Sequence, residues 1–205
     1  MTAGGVAAEG VAVALRAATP PRATLLLLAY RMGGTIREAL DSAVAQTVPC
    51  EIIVSDDASP APDDGFAIAE AFARDYRGPH RLIVRRNAEN LGLCAHINAV
   101  AAQASGEILI FQAGDDRSHP DRVARALAFF DAHPGVALVG TTVDEIDIDG
   151  RVIARRVRDP GFRRADQRWL LERGSFVCLL GASMAMRRFL LDALPPLQGM
   201  VEDNM

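Results

Sequence analysis

The chain of 205 residues is long enough for one domain with a substantial core. Half of its residues are hydrophobic and 23% are charged, a composition that is typical of globular proteins and excludes an intrinsically disordered chain. The formal net charge of −4 argues against nucleic acid as a partner, because nucleic-acid-binding proteins usually present a basic surface.

The segment before the first regular element, residues 1–22, predicts a flexible N-terminal arm that ends at Pro20 and Pro21. It has no basic start and carries Glu9 within its apolar part, unlike a secretory signal peptide. The longest apolar run, residues 23–30, is far shorter than the roughly 20 residues that span a bilayer, so no transmembrane segment is predicted. Peripheral contact with a membrane stays compatible with the sequence.

The three cysteines, Cys50, Cys94 and Cys178, are far apart and lie in apolar surroundings. Their spacing matches no metal-binding motif. They are predicted to be reduced thiols of the core, which indicates a cytoplasmic protein.

Apolar runs and amphipathic segments alternate from residue 23 to residue 141. The apolar runs predict strands at residues 23–30, 50–57, 80–86, 107–112 and 135–141. Apolar residues at helical spacing predict helices at residues 34–46, 64–76, 93–106 and 119–134, with Gly106 and Pro134 interpreted as helix ends. Strands that are apolar on both faces and alternate with helices predict an α/β fold, with a mostly parallel sheet between two helical layers.

The pattern becomes mixed beyond residue 140. Residues 141–161 alternate around Asp149-Gly150 and predict a hairpin. A helix at residues 162–175, a strand interrupted at Gly181 and a short helix at residues 189–197 are predicted next. This part is interpreted as belonging to the same domain.

Polar residues follow three of the predicted strands, namely Tyr30, the pair Asp56-Asp57 and the pair Asp115-Asp116. Ligands of open parallel sheets bind at the carboxyl ends of the strands. Two acidic pairs at one sheet edge repel each other unless a cation or hydrogen-bond donors compensate them. The alternative is that each pair caps the helix after it. Two pairs at neighbouring strand ends favour a ligand or metal site.

The glycine-rich motifs that bind phosphate are absent. Neither G-x-G-x-x-G nor G-x-x-x-x-G-K-[ST] follows the first strand. A divalent cation on carboxylates can hold phosphate oxygens instead. The sequence therefore predicts a nucleotide-diphosphate ligand that is bound through a metal.

Several stretches match one known family. Residues 23–65 contain a strand ending in AYR, a helix followed by AQT, and a strand ending in SDDAS; residues 87–116 contain ENLG, a helix, GE and a strand ending in AGDD. With residues 119–140, they resemble the inverting glycosyltransferases of family 2, which have the GT-A fold. The later segments GASMAMRRFLLDALPPL and EDNM resemble the acceptor side and the catalytic acidic motif of that family.

The sequence departs from the family pattern at two places. Leu28-Ala29-Tyr30-Arg31 stands where Pro-Thr-Tyr-Asn is usual. Ala113 replaces the first carboxylate of the Asp-x-Asp-Asp motif, and its loss is expected to weaken the metal or ribose contact.

The resemblance implies roles for five upstream residues. Ala29 and Tyr30 would lie against the nucleotide, and Asp57 would accept a hydrogen bond from a ring nitrogen of uracil or thymine. Asp115 would contact the ribose-diphosphate region and the metal, and Asp116 would be a direct metal ligand.

The resemblance also implies the reaction. Asp203 would be the general base that deprotonates the acceptor hydroxyl, with Glu202 beside it. The donor would be a UDP- or dTDP-linked sugar, the cofactor Mn²⁺ or Mg²⁺, and the acceptor a glycan, a lipid-linked glycan or a protein in polysaccharide or cell-envelope glycan synthesis. Residues 23–205 would form one GT-A domain, with nucleotide-binding residues 23–140 and an acceptor side at residues 141–205 that is expected to be truncated at its C-terminus.

Two other functions stay open, a sugar nucleotidyltransferase and a catalytically silent domain that binds nucleotide sugars. The sequence leaves the oligomeric state open as well. Of the charged residues elsewhere, Arg85, Arg86 and His80 are predicted to be solvent-exposed, whereas His96 is predicted to be a hydrogen-bonded histidine of the third helix.

Overall fold

The computed structural model describes residues 21–157 and 180–198, together with residues 165, 166, 168 and 172. Its strands are β1 (Ala23–Ala29), β2 (Glu51–Asp56), β3 (Arg81–Arg86), β4 (Ile108–Ala113), β5 (Leu138–Val139), β6 (Val143–Ile146), β7 (Val152–Val157) and β8 (Ala185–Arg187). Its helices are α1 (Ile36–Val44), α2 (Gly65–Asp75), α3 (Leu93–Ala101), α4 (Arg122–Ala132) and α5 (Phe189–Ala193), and a 3₁₀ turn spans Gly181–Ser183.

One mixed sheet of six strands has the order β3-β2-β1-β4-β8-β5. Strands β3, β2, β1 and β4 are parallel, and β8 runs antiparallel to both of its neighbours. The predicted α/β fold with a mostly parallel sheet is therefore confirmed. The predicted fifth strand is only two residues long, and β8 from the C-terminal part lies between it and β4.

Hydrophobic residues of the central strands alternate between the two faces of the sheet, as the two-residue period of a strand requires. One face packs on α1, α2 and α4, and the other packs on α3 and α5. Leu25 and Leu27 belong to the first face, whereas Leu26 belongs to the second. Each such fully buried side chain stabilises the fold by about 1.5–3 kcal/mol. The packing of the central strands therefore keeps the ends of β2, β1 and β4 in a fixed register.

Helix α1 illustrates why a helix could be predicted from the sequence. Its buried residues Ile36, Ala39, Leu40 and Ala43 follow the three- and four-residue spacing of one helix face. Helix α3, in contrast, ends five residues before the predicted stop at Gly106.

Gly106 is needed for a close approach to β1 and is not a helix stop. A Cβ at this position would lie 2.5 Å from the backbone nitrogen of Thr24. The amide of Gly106 also donates to Thr24 Oγ1 at 2.9 Å. Only a residue without a side chain allows the chain to enter β4 this close to β1.

The predicted hairpin is confirmed as β6 and β7, which form a separate antiparallel pair. Gly150 lies in its turn at a φ of +78°, where glycine is favoured, and donates to the carbonyl of Asp147. Several predictions fall outside the described residues: the arm at residues 1–20, Cys178, most of the helix at residues 162–175, and the pair Glu202-Asp203.

His80 is buried, which contradicts its predicted exposure. The ring is 1% exposed; its Nδ1 accepts from the amide of Cys50 at 3.2 Å and its Nε2 lies 3.1 Å from the carbonyl of Val44. Burial lowers the pKa of His80, which keeps the ring neutral. The thiol of Cys50 is buried beside it, and burial raises its pKa to about 12, as expected of an unreactive core cysteine.

Candidate active site

The residues predicted to bind the nucleotide meet at one edge of the sheet. Strand β1 lies between β2 and β4, and its last residue, Ala29, stands opposite Asp56. Parallel strands are spaced about 4.8 Å apart, so the ends of β2 and β4 are separated by about 10 Å across β1. Asp57 follows the end of β2, and Asp115 lies two residues beyond the end of β4.

The backbone joins the ends of β1 and β2 directly. The amide of Asp57 donates to the carbonyl of Ala29 at 2.9 Å, and the amide of Arg31 donates to Ser59 Oγ at 2.7 Å. Arg31, which stands where the family usually has asparagine, adopts a φ of 60° and places its guanidinium 5.2 Å from the ring centre of Tyr30. Tyr30 is half-buried, so part of its ring stays accessible at this edge.

The carboxylate of Asp57 is 3% exposed and is held by three donors. Oδ1 accepts from Asn87 Nδ2 at 2.6 Å and from the amide of Leu91 at 3.0 Å, and Oδ2 accepts from the amide of Gly92 at 3.0 Å. The two amides precede α3, so Asp57 supports the turn into α3 and does not cap the helix that follows its own strand. A carboxylate offers about four acceptor positions, which leaves one on Oδ2 for a further donor.

Asp56 has a different role from its neighbour. Its carboxylate forms an ion pair with Arg86 at 3.1 Å and accepts from the amide of Ser59 at 2.9 Å, which closes the loop after β2. Arg86 is therefore not simply a solvated charge, as the sequence had suggested. The repulsion expected between two acidic pairs is compensated on the β2 side by the protein itself.

Asp115 and Asp116, in contrast, are both exposed. Within the described part of the chain, neither carboxylate forms an ion pair, and Asp116 has only the backbone of Ala113 among the hydrogen-bonding groups that act on its pKa. Neither caps α4, because Asp121 occupies that N-cap position. The local loss of water raises the pKa of Asp116, Asp115 acts in the same direction, and Arg122 opposes both. A divalent cation bound here would relieve the repulsion.

Arg122 supports the acidic pair from the protein side. It donates to the carbonyls of Phe111 and Ala182 at 2.6 Å and to Ser118 Oγ at 3.0 Å. Burial lowers the pKa of Arg122 to about 10, which leaves it a cation at neutral pH. It joins the end of β4 to the 3₁₀ turn of the C-terminal part and faces Asp116.

Gly114 allows the loop after β4 to approach β1. A Cβ on it would lie 2.9 Å from Met32 Cγ, and its carbonyl accepts from Thr35 Oγ1 at 2.9 Å. An open depression next to the site lies between the β1–α1 and β2–α2 loops. Neither Asp57 nor the acidic pair lines that depression.

The residues after α5 are hydrogen-bonded to α3 through the side chain of Asn98. Asn98 Nδ2 donates to the carbonyl of Leu197 at 3.0 Å, and the amide of Leu197 donates to Asn98 Oδ1 at 3.1 Å. The predicted base, Asp203, lies six positions beyond this anchor and outside the described residues.

Residues 24–194 match the model of the family described as "Glycosyl transferase family 2". The chain belongs to glycosyl transferase family 2. The match begins at the second residue of β1 and ends at the residue after α5, so it includes the sheet edge with Asp57 and Asp115 but ends before Leu197.

Relatives of this family 2 chain include the "Putative glycosyltransferase EpsE" of Bacillus subtilis (strain 168), which is 32% identical over 145 residues, covering 69% of this chain and 51% of EpsE. Two solved structures share the fold at 22% identity. The mannosyltransferase PcManGT of Pyrobaculum calidifontis, in complex with GDP-Man and Mn²⁺, has a TM-score of 0.64 and covers 88% of this chain and 48% of its own. The structure of residues 1–349 of S. aureus TarS, in complex with UDP-GlcNAc, has a TM-score of 0.60, and the match covers 84% of this chain and 47% of the TarS chain. The chain therefore spans about half the length of these relatives.

The described residues of this family 2 chain contain neither three clustered metal-binding side chains nor a helix that could span a membrane. No group of three or more histidine, cysteine or carboxylate side chains gathers in a way that could hold a metal without other ligands. None of the described helices is both long and apolar enough to cross a bilayer.

A network of buried polar side chains lies beneath Asp57 and was not predicted from the sequence. Arg85, predicted to be solvated, is 4% exposed and bonds Ser55 and Asn87. His96, predicted to be hydrogen-bonded, has its Nε2 2.7 Å from Ser55 Oγ. The available signal was weak: Arg85 occupies a position of β3 that the apolar pattern assigns to a buried residue, and Asn87 follows the strand at the same edge as Asp57.

Proposed function

We propose that this family 2 domain transfers a sugar from a nucleotide-diphosphate sugar to an acceptor hydroxyl with inversion, assisted by a divalent metal. The observation that carries the proposal is that the carboxylates at the two ends of this sheet edge differ in their environment. A buried carboxylate with one open acceptor position, Asp57, follows the end of β2, and two exposed carboxylates follow the end of β4, two strand spacings or about 10 Å away along the sheet. The first suits a base and the second suits a diphosphate with its cation.

Asp57 is proposed to select the base. Uracil and thymine carry an N3–H that a carboxylate accepts, whereas adenine offers no ring N–H at the matching position. The donors from Asn87, Leu91 and Gly92 hold the carboxylate in place, so the open position on Oδ2 points in a constant direction. Ala29 and the accessible part of Tyr30 are proposed to line the same base. We therefore propose UDP or dTDP, in preference to ADP, as the nucleotide.

Asp115 and Asp116 are proposed to hold Mn²⁺ or Mg²⁺, with Asp116 as the direct ligand. These ions are commonly bound by one or two carboxylates together with substrate phosphates and water, so a full protein cage is not required. The structural neighbour PcManGT was solved with GDP-Man and Mn²⁺, which supports the assignment. When bound, the cation neutralises the charge that develops on the leaving diphosphate.

Asp203 is proposed to be the general base. It would take the proton of the acceptor hydroxyl while that oxygen attacks the anomeric carbon opposite the diphosphate. The new C–O bond then forms as the bond to the diphosphate breaks, which inverts the configuration. The anchor between Asn98 and Leu197 supports this role, because it attaches the preceding segment to the helix whose first turn is bound to Asp57.

A catalytically silent domain is the second candidate, and one observation favours it. Ala113, at the end of β4, replaces a carboxylate of the family motif. Nucleotidyl transfer is less well supported, since the loop between β1 and α1 has Arg31 as its only basic residue. A silent domain would bind UDP with metal but transfer no sugar.

The experiment that tests the proposal is a melting-temperature series with UDP, Mn²⁺, both together and both with excess chelator. Because a ligand that binds only the folded state stabilises it, UDP with Mn²⁺ should raise the melting temperature more than either alone. Asp116→Ala should remove the metal-dependent part, whereas Asp121→Ala, at a half-buried aspartate at the start of α4, should retain it. Equal UDP affinity with Mn²⁺ and with chelator, measured by calorimetry, would show that the metal assignment is wrong.

A further inference from the structure

Arg85 is a buried cation in the middle of β3. It is 4% exposed, and its guanidinium lies between the sheet and α3. No carboxylate in the described part of the chain lies within 4 Å of it as an ion-pair partner. A buried charge without a direct counter-ion is destabilising, so its position calls for a reason other than stability.

The contacts of Arg85 lead to Asp57. One terminal nitrogen donates to Ser55 Oγ at 2.7 Å and the other donates to Asn87 Oδ1 at 2.5 Å. The amide of Asn87 then donates from Nδ2 to Asp57 Oδ1 at 2.6 Å. Nε of Arg85 is buried without a partner, which shows that the guanidinium is oriented by the two other bonds and not by full satisfaction of its donors.

The hydrogen bonds from Arg85 to Asn87 and from Asn87 to Asp57 form a relay. The order of charges along this relay determines which way the amide of Asn87 faces. Its oxygen meets the guanidinium and its nitrogen meets the carboxylate. A flipped amide would place oxygen against the carboxylate of Asp57 and the NH₂ group against Arg85, which is repulsive at both ends. With Arg85 removed, only the carboxylate end would still favour the observed orientation, and Asn87 would lose one of its two constraints.

We propose that Arg85 is a positioning residue for base recognition, which acts through Asn87 to hold the carboxylate of Asp57 in the direction of its open acceptor position. The inference rests on the proposed function of Asp57. Arg85 would act without contacting the base, since Asn87 lies between its guanidinium and the carboxylate of Asp57. Selectivity between bases therefore depends on a residue in the core.

The test compares the affinity for UDP with the affinity for ADP, by calorimetry in Mn²⁺, in the parent chain and four variants. The parent should prefer UDP at least tenfold. Arg85→Met should lower the ratio at least fivefold, and Arg85→Lys should restore part of it, because one ammonium group can bond Asn87 but cannot hold Ser55 with the same geometry. Asp57→Ala should bring the ratio to about one, as the proposed function requires.

Arg81→Met is the matched control. Arg81 begins the same strand and pairs at 2.8 Å with Glu51, which is fully buried, at the opposite edge of the sheet. Its loss should lower the melting temperature yet leave the UDP-to-ADP ratio within twofold of the parent. The ratio thus separates positioning from general destabilisation.

The outcomes distinguish the two proposals. An unchanged ratio in Arg85→Met together with a lost preference in Asp57→Ala would overturn the role of Arg85 and leave that of Asp57. An unchanged ratio in Asp57→Ala would overturn the base-recognition proposal itself. Should Arg85→Met fail to fold, Asn87→Ala decides, because it breaks the relay with the guanidinium in place, and an unchanged ratio in that variant would equally refute the inference.

Discussion

The stability of the fold should depend on pH through His96. The ring lies on α3 against the sheet, is 3% exposed, and has Nε2 2.7 Å from Ser55 Oγ. Burial lowers the pKa of His96 from 6.5 to about 4; Asp57 and Asp56 partly oppose this change, and Arg85 adds to it. The folded chain therefore keeps this ring neutral where an exposed histidine would be protonated.

The magnitude follows from proton linkage. Between about pH 6.5 and pH 4 the unfolded chain binds a proton at His96 that the folded chain does not, so the free energy of unfolding falls as the pH falls. The full shift corresponds to about 3 kcal/mol, of which about 2 kcal/mol is lost between pH 7 and pH 5. In a chain of this size, that loss lowers the melting temperature by about 4–8 °C.

Urea denaturation at pH 7 and pH 5 measures the effect. His96→Gln retains an amide that can bond Ser55 but cannot titrate, so between the two pH values it should lose about 2 kcal/mol less stability than the parent. His133→Gln, at an exposed histidine after α4, should behave as the parent does. Equal losses in the parent and in His96→Gln would refute the reasoning.

Two further predictions concern the backbone and the chemistry. Gly106→Ala should lower the free energy of unfolding in urea by about 1–3 kcal/mol, since its Cβ would lie 2.5 Å from the backbone of Thr24. Gly135→Ala is the control, because its Cβ would have nothing within 4 Å, and it should change stability little. Equal effects of the two substitutions would contradict the close-approach argument. Asp203→Asn should lower turnover about 10²–10⁴-fold with UDP affinity nearly unchanged, because a general base contacts the acceptor and not the nucleotide. Near-parent turnover in the Asn variant would move the base elsewhere, with Glu202→Gln as the next variant to assay.

The central elements could be predicted because their signals are local. The apolar runs of β1, β2 and β4 are buried on both faces, and α1 buries residues at helical spacing. A period of two or of 3.6 residues depends only on nearby sequence. The meeting of Asp57 and Asp115 at one edge followed from the same pattern, because alternating strands and helices predict parallel strands whose carboxyl ends coincide.

The sequence by itself thus determined the four parallel strands, the presence of helices α1 to α4 and the family. Only the tertiary structure decided what surrounds each charged residue. Asp56 and Asp57 are adjacent, yet one is neutralised by Arg86 and the other stays a buried acceptor. Arg85 and His80 are buried polar residues whose partners, Ser55 of β2 and the carbonyl of Val44 at the end of α1, are distant in sequence. The position of β8 between β4 and β5 has the same origin: strand pairing and burial depend on which distant segments pack together, and no local period records that choice.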